Sequence, residues 1–144
     1  MKVSMKVDYG VRVLVDLAQH YGQGVIPATE MASRQGIPEP YLDQILASLR
    51  RAGFVSSKRG PQGGHILART PSQVNLGEVI TALEGSSSPR CITQPEDCER
   101  ATICVQREVW QAIEESVQKL LSATTLGELV ERQERRTEAA MYYI

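Results

Sequence analysis

No stretch of this chain stays apolar for the roughly 20 residues that a membrane helix requires. Its first ten residues, Met1 to Gly10, mix charged and apolar side chains and show no signal-peptide pattern. No membrane partner is expected, and a cytoplasmic location is the default. Aromatic residues make up only 5%, with one Trp and one Phe, so any core must be built from Leu, Ile, Val and Ala. A 42% hydrophobic content is enough for that. Also missing are H-E-x-x-H, C-x-x-C, a G-x-x-x-x-G-K-[ST] loop and an ordered Ser/His/Asp set. These absences point away from an enzyme. The one enzyme-class alternative is a thiol-redox protein using Cys98 or Cys104, which would leave the rest of the pattern below unexplained.

What is present is unevenly charged. The net charge of −1 conceals 9 Lys/Arg against 5 Asp/Glu in residues 1–75, and 7 against 12 in residues 76–144. A head at +4 joined to a body at −5 suits a nucleic-acid-binding unit on a part that does not touch nucleic acid. The length of 144 residues favours one domain, or one domain with a dimerisation arm.

Helical spacing of Val11, Leu14, Val15 and Ala18 predicts a first helix over about 8–20, ended at Gly22 and Gly24. A second helix is expected over 28–35, stopped by Gly36, and a third over 39–52 with Leu42, Ile45, Leu46 and Leu49 as its apolar face. Residues 54–57 and 65–68 read as two strands around the Gly-rich turn Lys58-Arg-Gly-Pro-Gln-Gly-Gly64. Residues 76–84 form a short helix with Leu76, Val79, Ile80 and Leu83 on one side. Ser86 to Pro89 is the expected boundary between head and arm. A long helix over 103–123 carries Trp110, Ile113, Val117 and Leu120 at spacings of 3, 4 and 3. That is an a/d seam for packing along another helix, although the same stripe could cover its own head. Thr124 and Thr125 can cap a last helix with Glu128 closing a capping box, and Leu126, Leu129 and Val130 give it one apolar patch. The charged tail past Gln133 has no assigned structure.

The order helix, helix, tight turn, helix, hairpin defines a mainly α fold with a small β-hairpin: a winged helix-turn-helix head plus a long dimerisation helix. The expected units are 1–85 (DNA-binding head), 86–104 (cysteine loop) and 105–144 (dimerisation and C-terminal helices). The outward face of the third helix offers Pro40, Tyr41, Asp43, Gln44 and Ser48, where such a helix reaches base edges. Lys58 and Arg59 at the hairpin tip face the backbone or the minor groove. Alternatively the Gly-rich turn is ordinary loop and the helices ordinary core.

Cys91, Cys98 and Cys104 fall within 14 residues. An odd number in a chain without an export signal argues against a disulfide framework. Zinc sites bring a close C-x2-4-C pair, and there is none. Soft thiolates spread over a loop suit an iron–sulfur cluster, with the fourth ligand drawn from elsewhere. Free thiols that sense oxidation remain the alternative. His20 and His65 are expected to be surface residues rather than ligands.

The run Gly36-Ile-Pro-Glu-Pro-Tyr-Leu-Asp-Gln-Ile-Leu-Ala-Ser-Leu-Arg-Arg-Ala-Gly-Phe-Val-Ser-Ser-Lys-Arg-Gly-Pro-Gln-Gly-Gly64 closely resembles the Rrf-two family of bacterial regulators, which includes the IscR, NsrR, RirA and CymR types. The likeness extends through Leu67-Ala-Arg69, Leu76-Gly-Glu-Val79 and Ala82-Leu-Glu-Gly85 and covers nearly the whole chain. Lys58 and His65 depart from the Val and Tyr of many members. The resemblance implies a homodimer on a partly palindromic double-stranded DNA operator, with Pro40, Asp43, Gln44 and Arg59 as contacts. It also implies a 2Fe–2S or 4Fe–4S cluster on Cys91, Cys98 and Cys104. One branch places a His ligand three residues after the last cysteine; here that position is Arg107, which cannot ligate iron. Asp8 matches the position from which the NsrR branch supplies an Asp across the dimer. A further branch uses Glu and His on the first helix, near Asp8 and Arg12, so only the carboxylate half fits. Otherwise Asp8 is a helix-start acid favoured by the macrodipole. The function implied is a regulator, most simply a repressor, whose cluster senses redox state, NO or iron. A cluster-free regulator sensing thiol oxidation, a small molecule or a partner protein is the alternative.

Overall fold

A computed structural model describes residues 3–86 and 88–142. The described residues form seven helices and one two-stranded sheet. Helix α1 spans Met5–Gln19 and begins earlier than its apolar spacing suggests, because the Ser4 hydroxyl caps it by accepting from the Val7 N–H at 3.2 Å. It presents Val7, Val13, Leu14, Leu17 and Ala18 to the core. Helix α2 (Ala28–Gln35) ends at Gly36, whose φ of 64° is the left-handed conformation that a tight turn demands. Helix α3 (Glu39–Arg51) starts with Pro40 in its first turn, where a missing N–H costs nothing, and buries Leu42, Ile45, Leu46 and Leu49.

Strands β1 (Val55–Lys58) and β2 (Gly64–Leu67) pair antiparallel, with Val55 opposite Leu67 and Ser57 opposite His65. Their ends Val55 and Leu67 are buried and anchor the hairpin, while its tip stands in solvent. Ile26, between α1 and α2, extends the sheet by a bridge to His65. Helix α4 (Leu76–Glu84) is closed by a reciprocal capping box between Asn75 and Glu78.

The cysteine region holds a four-residue helix, α5 (Arg90–Thr93), and a single turn of tighter helix at Pro95–Asp97. The long helix α6 (Val105–Ala123) follows, and α7 (Leu126–Met141) closes the described chain. Of the expected boundary segment, Ser87 lies outside the described residues, as do Tyr143 and Ile144 of the tail.

The corner between α6 and α7 is stitched to the head by backbone bonds from Leu76 N–H to Thr124 O (3.0 Å) and from Leu126 N–H to Val74 O (2.9 Å). Leu126 is wholly buried in the same core as Leu14 and Leu46, so α7 packs back on α1 although it follows the arm in sequence. The Thr125 hydroxyl caps α7 by accepting from the Glu128 N–H at 3.1 Å, but the Glu128 carboxylate pairs with Arg132 instead of closing the expected capping box. Beyond Gln133, where the sequence pattern assigns no structure, α7 continues to Met141. Strong helix formers and the i,i+4 pairs Glu128–Arg132 and Glu131–Arg135 support it.

Candidate nucleic-acid interface and cysteine loop

The outer face of α3 is built by subtraction. Four leucine and isoleucine side chains fix the inner face, so Pro40, Asp43 and Gln44 project outward in the first turns and are exposed. Tyr41 is only half exposed. Its ring packs edge-on against Tyr9 of α1, with centroids 5.6 Å apart, and the Arg12 guanidinium lies 5.5 Å from the Tyr9 ring. Tyr41, Gln44 and Ser48 share a shallow groove with Lys6 of α1 and Arg51 of α3. Sequence reasoning missed Lys6 and Arg51. The Arg50-Arg51 pair was visible as a basic dipeptide at the end of a helix, whereas Lys6 joins the groove only because α1 crosses α3.

Lys58 and Arg59 are exposed at the hairpin tip. Arg50 links that hairpin to α3 by donating to the Ser57 hydroxyl at 3.2 Å, and Ser57 Oγ lies 2.7 Å from His65 Nδ1. His65 is therefore not the plain surface residue expected. It is half-buried across the sheet from Ser57, and burial together with the nearby Arg50 charge holds its pKa below the ordinary value, against a smaller opposing pull from Asp43. His20 is likewise tied down, with Nδ1 2.8 Å from the Asp16 carbonyl.

Cys91 lies in α5, Cys98 just after the Pro95–Asp97 turn, and Cys104 is the N-cap position of α6. All three thiols are free and partly exposed. Arg107 donates from Nε to the Cys91 carbonyl at 3.0 Å and so closes the loop onto α6. The donor chemistry, three soft thiols on one short loop, fits an iron–sulfur cluster. The geometry of the single chain does not complete a site: among the described residues no three His, Cys, Asp or Glu side chains converge to hold a metal. Asp8, in the first turn of α1, is paired with Arg12 at 2.9 Å and lines a cleft that contains no cysteine.

The expected seam of α6 is split. Trp110, Ile113 and Val117 line a groove against Gly77 and Ile80 of α4. Trp110 and Ile113 nevertheless remain 44% and 46% exposed, and Leu120 is 69% exposed. No described residue of α6 is buried.

Residues 3–132 match the Rrf2 family, described as an iron-dependent transcriptional regulator. The chain belongs to the Rrf2 family. Across its full length it is 35% identical to the HTH-type transcriptional regulator CymR of Bacillus subtilis, covering all of both proteins. The structure of T. potens IscR superposes with a TM-score of 0.78 at 40% identity, over 94% of this chain and 90% of that one. An oxidized form of Staphylococcus aureus CymR matches with a TM-score of 0.73 at 33% identity, over 91% of this chain and 97% of that one. This Rrf2 chain is thus a winged-helix, DNA-binding transcription regulator, and its relatives are regulators rather than enzymes. None of its described helices is long and apolar enough to cross a membrane.

Proposed function

We propose that this Rrf2 protein is a homodimeric, operator-binding repressor whose cysteine loop carries an iron–sulfur cluster as its sensor. The observation that carries the sensing half is the placing of three free thiols on one loop whose last member, Cys104, is the N-cap residue of α6. In this reading the head 1–85 binds DNA, 86–104 senses, and α6 of 105–144 joins the two protomers. The half-exposed stripe of Trp110, Ile113, Val117 and Leu120 supplies the dimer contact. Two heads related by that contact present two copies of α3 to successive major grooves.

Asp43 and Gln44 are suited to cytosine and adenine edges respectively, with Pro40, Tyr41 and Ser48 beside them. Lys58 and Arg59 reach the backbone or a narrow minor groove. Cys91, Cys98 and Cys104 hold the cluster, and Asp8 of the partner subunit is the fourth ligand. A bound cluster supplies a charge and coordination demand that change with oxidation, NO or iron loss. Holding it fixes Cys104 and hence the start of α6. Offering Asp8 requires release of its ion pair with Arg12, and Arg12 itself stacks on Tyr9, which packs on Tyr41 of the reading helix. That chain of contacts is the route from sensor to DNA.

A specific observation favours a second reading. The thiols do not converge in one chain, and CymR, a relative across the entire length, is described as the global cysteine regulator of B. subtilis. In that reading the same loop senses thiol oxidation without a cluster.

Anaerobic purification with absorption spectra and iron and sulfide analysis separates the two. The first reading expects a coloured dimer with stoichiometric iron and sulfide, lost in Cys98→Ala. A colourless, iron-free protein that still binds its operator specifically leaves the thiol reading. If Asp8→Ala matches the wild type in spectrum and in DNA affinity in both redox states, Asp8 is not the link.

A further inference from the structure

His65 is held from two sides. Its backbone N–H donates to the Ile26 carbonyl at 2.8 Å, and its own carbonyl accepts from the Ile26 N–H at 2.9 Å. Both bonds turn its backbone groups away from β1. The pairing of His65 with Ser57 is therefore of the non-hydrogen-bonded kind, in which side chains stand closest. At this step of the ladder the strands are joined through side chains, with Ser57 Oγ 2.7 Å from His65 Nδ1. Arg50, in the last turn of α3, donates from Nη1 to the same Ser57 oxygen at 3.2 Å.

The hydrogens in this chain of bonds run in one direction. A guanidinium only donates, so Ser57 Oγ accepts from Arg50. The single hydrogen of the hydroxyl then goes to His65 Nδ1, which must be unprotonated to take it. A protonated ring would instead aim a second cationic N–H at the oxygen that already serves Arg50. The surroundings favour the neutral ring. Burial and the Arg50 charge both oppose a positive imidazole, and Asp43 of α3 pulls the other way more weakly. On its other side His65 borders a cleft shared with His20 and Tyr21, which follow α1, and no carboxylate lines that cleft.

The place of these bonds along the hairpin gives them leverage. Val55 and Leu67 anchor its base in the core. Ser57 stands two residues further out, immediately before Lys58 and Arg59 of the exposed tip. Hydrogen bonds at so exposed a place add little to the stability of a fold. Their effect falls on the direction in which the tip leaves the body.

We infer that Ser57 and His65 are positioning residues for operator binding: they latch the hairpin to Arg50 and so aim Arg59, and the latch closes only on a neutral imidazole. The inference rests on the reading of Arg59 as a DNA contact.

Fluorescence anisotropy on the full-length protein tests this, with an operator duplex that the wild type selects from a random pool and a scrambled duplex as reference. At neutral pH Ser57→Ala should weaken operator binding about fivefold, as loss of one modest hydrogen bond would, and change scrambled binding far less. In an Arg59→Ala background the same substitution should have no further effect, because the side chain it aims is gone. The wild-type ratio of operator to scrambled affinity should fall as pH drops through the His65 value, which lies below the ordinary 6.5. Added positive charge strengthens both duplexes alike and cancels in that ratio. His65→Asn places a non-titrating acceptor, Oδ1, near the Nδ1 position. It should keep the ratio seen at neutral pH and lose the pH dependence.

Additive losses from Ser57→Ala and Arg59→Ala overturn the proposal. So do equal losses on both duplexes, which would make Ser57 a contact to the DNA backbone. A flat wild-type profile overturns it, as does a pH dependence that survives in His65→Asn. If Arg59→Ala leaves operator binding unchanged, the tip reads no DNA and the proposal falls with that reading. Imidazole ¹⁵N NMR tells the two failures apart. An unprotonated, hydrogen-bonded Nδ1 that changes in Ser57→Ala shows a latch that forms without serving DNA, whereas a signal indifferent to Ser57→Ala shows no latch.

Discussion

Asp16 of α1, 1% exposed in its side chain, takes both arms of the Arg34 fork of α2, with Nε to Oδ2 at 2.8 Å and Nη2 to Oδ1 at 2.7 Å. Gln35 adds a third bond at 2.7 Å. Burial pushes the Asp16 pKa up, but the bonds from Arg34 and Gln35 and the charges of Arg34 and His20 outweigh it, so the net direction is down. Arg34 is correspondingly raised. This pair ties the end of α2 to α1.

Arg34→Ala would leave the Asp16 carboxylate buried without its cation. Breaking such a pair costs about 3–5 kcal/mol, and because Arg34 keeps 35% of its side chain exposed the lower end is expected. Urea denaturation at pH 7 measures it. The pH dependence has a defined sign. A depressed folded pKa contributes stability that is fully present above the ordinary value of 3.8 and is lost as pH falls through the lower, folded value. Asp16→Asn should remove this component of acid destabilisation; an unchanged slope of stability below pH 4 would show that Asp16 is not its source.

In the proposed reading, operator recognition divides between the helix and the hairpin. Gln44→Ala should cost about 1–3 kcal/mol on the operator and relax preference at one base pair. Arg59→Ala should cost a similar amount if the side chain reads groove shape, and weaken random DNA equally if it meets only phosphate. Fluorescence anisotropy with operator and scrambled duplexes at several salt concentrations distinguishes these.

Gly64 permits the hairpin to lie against the α1–α2 connection. A Cβ there would stand 2.5 Å from the Ile26 carbonyl oxygen, a backbone atom that cannot swing aside. Gly64→Ala should therefore destabilise by about 1–3 kcal/mol and reduce operator affinity through the displaced tip. Thermal melts and DNA titrations are the readouts, and a fully wild-type protein would disprove the close approach.

Introducing charge at the outer edge of α6 tests the proposed dimer. Leu120→Glu, at a site 69% exposed in the single chain, should leave the monomer fold intact and convert dimer to monomer. Light scattering after size exclusion reports the mass, and circular dichroism reports the fold.

Much of the head was legible because its elements are punctuated locally. Gly36 ends α2, Pro40 opens α3, and the α3 leucines and isoleucine follow one helical face, so the outward set of Pro40, Asp43 and Gln44 followed by elimination. The start of α1 was legible less well, because its cap, Ser4, is separated by six residues from Val11, the first position of the apolar spacing. His65 and Tyr41 were placed on the surface by default. Their partial burial depends on Ser57, Ile26 and Tyr9, which spacing along the chain cannot bring together.

Local pattern alone set the order of elements, most helix ends, the outward face of α3, the basic hairpin tip and the grouping of three thiols, because each rests on interactions within a few residues. The packing of the folded chain is what makes Leu126 complete the core of the head, links α1 to α2 through Asp16 and Arg34, and brings Lys6 to the groove of α3. It alone also separated Asp8 from the cysteines of its own chain. Those relationships depend on how helices cross, and crossing is set by the packing of distant side chains rather than by the local pattern of any one segment.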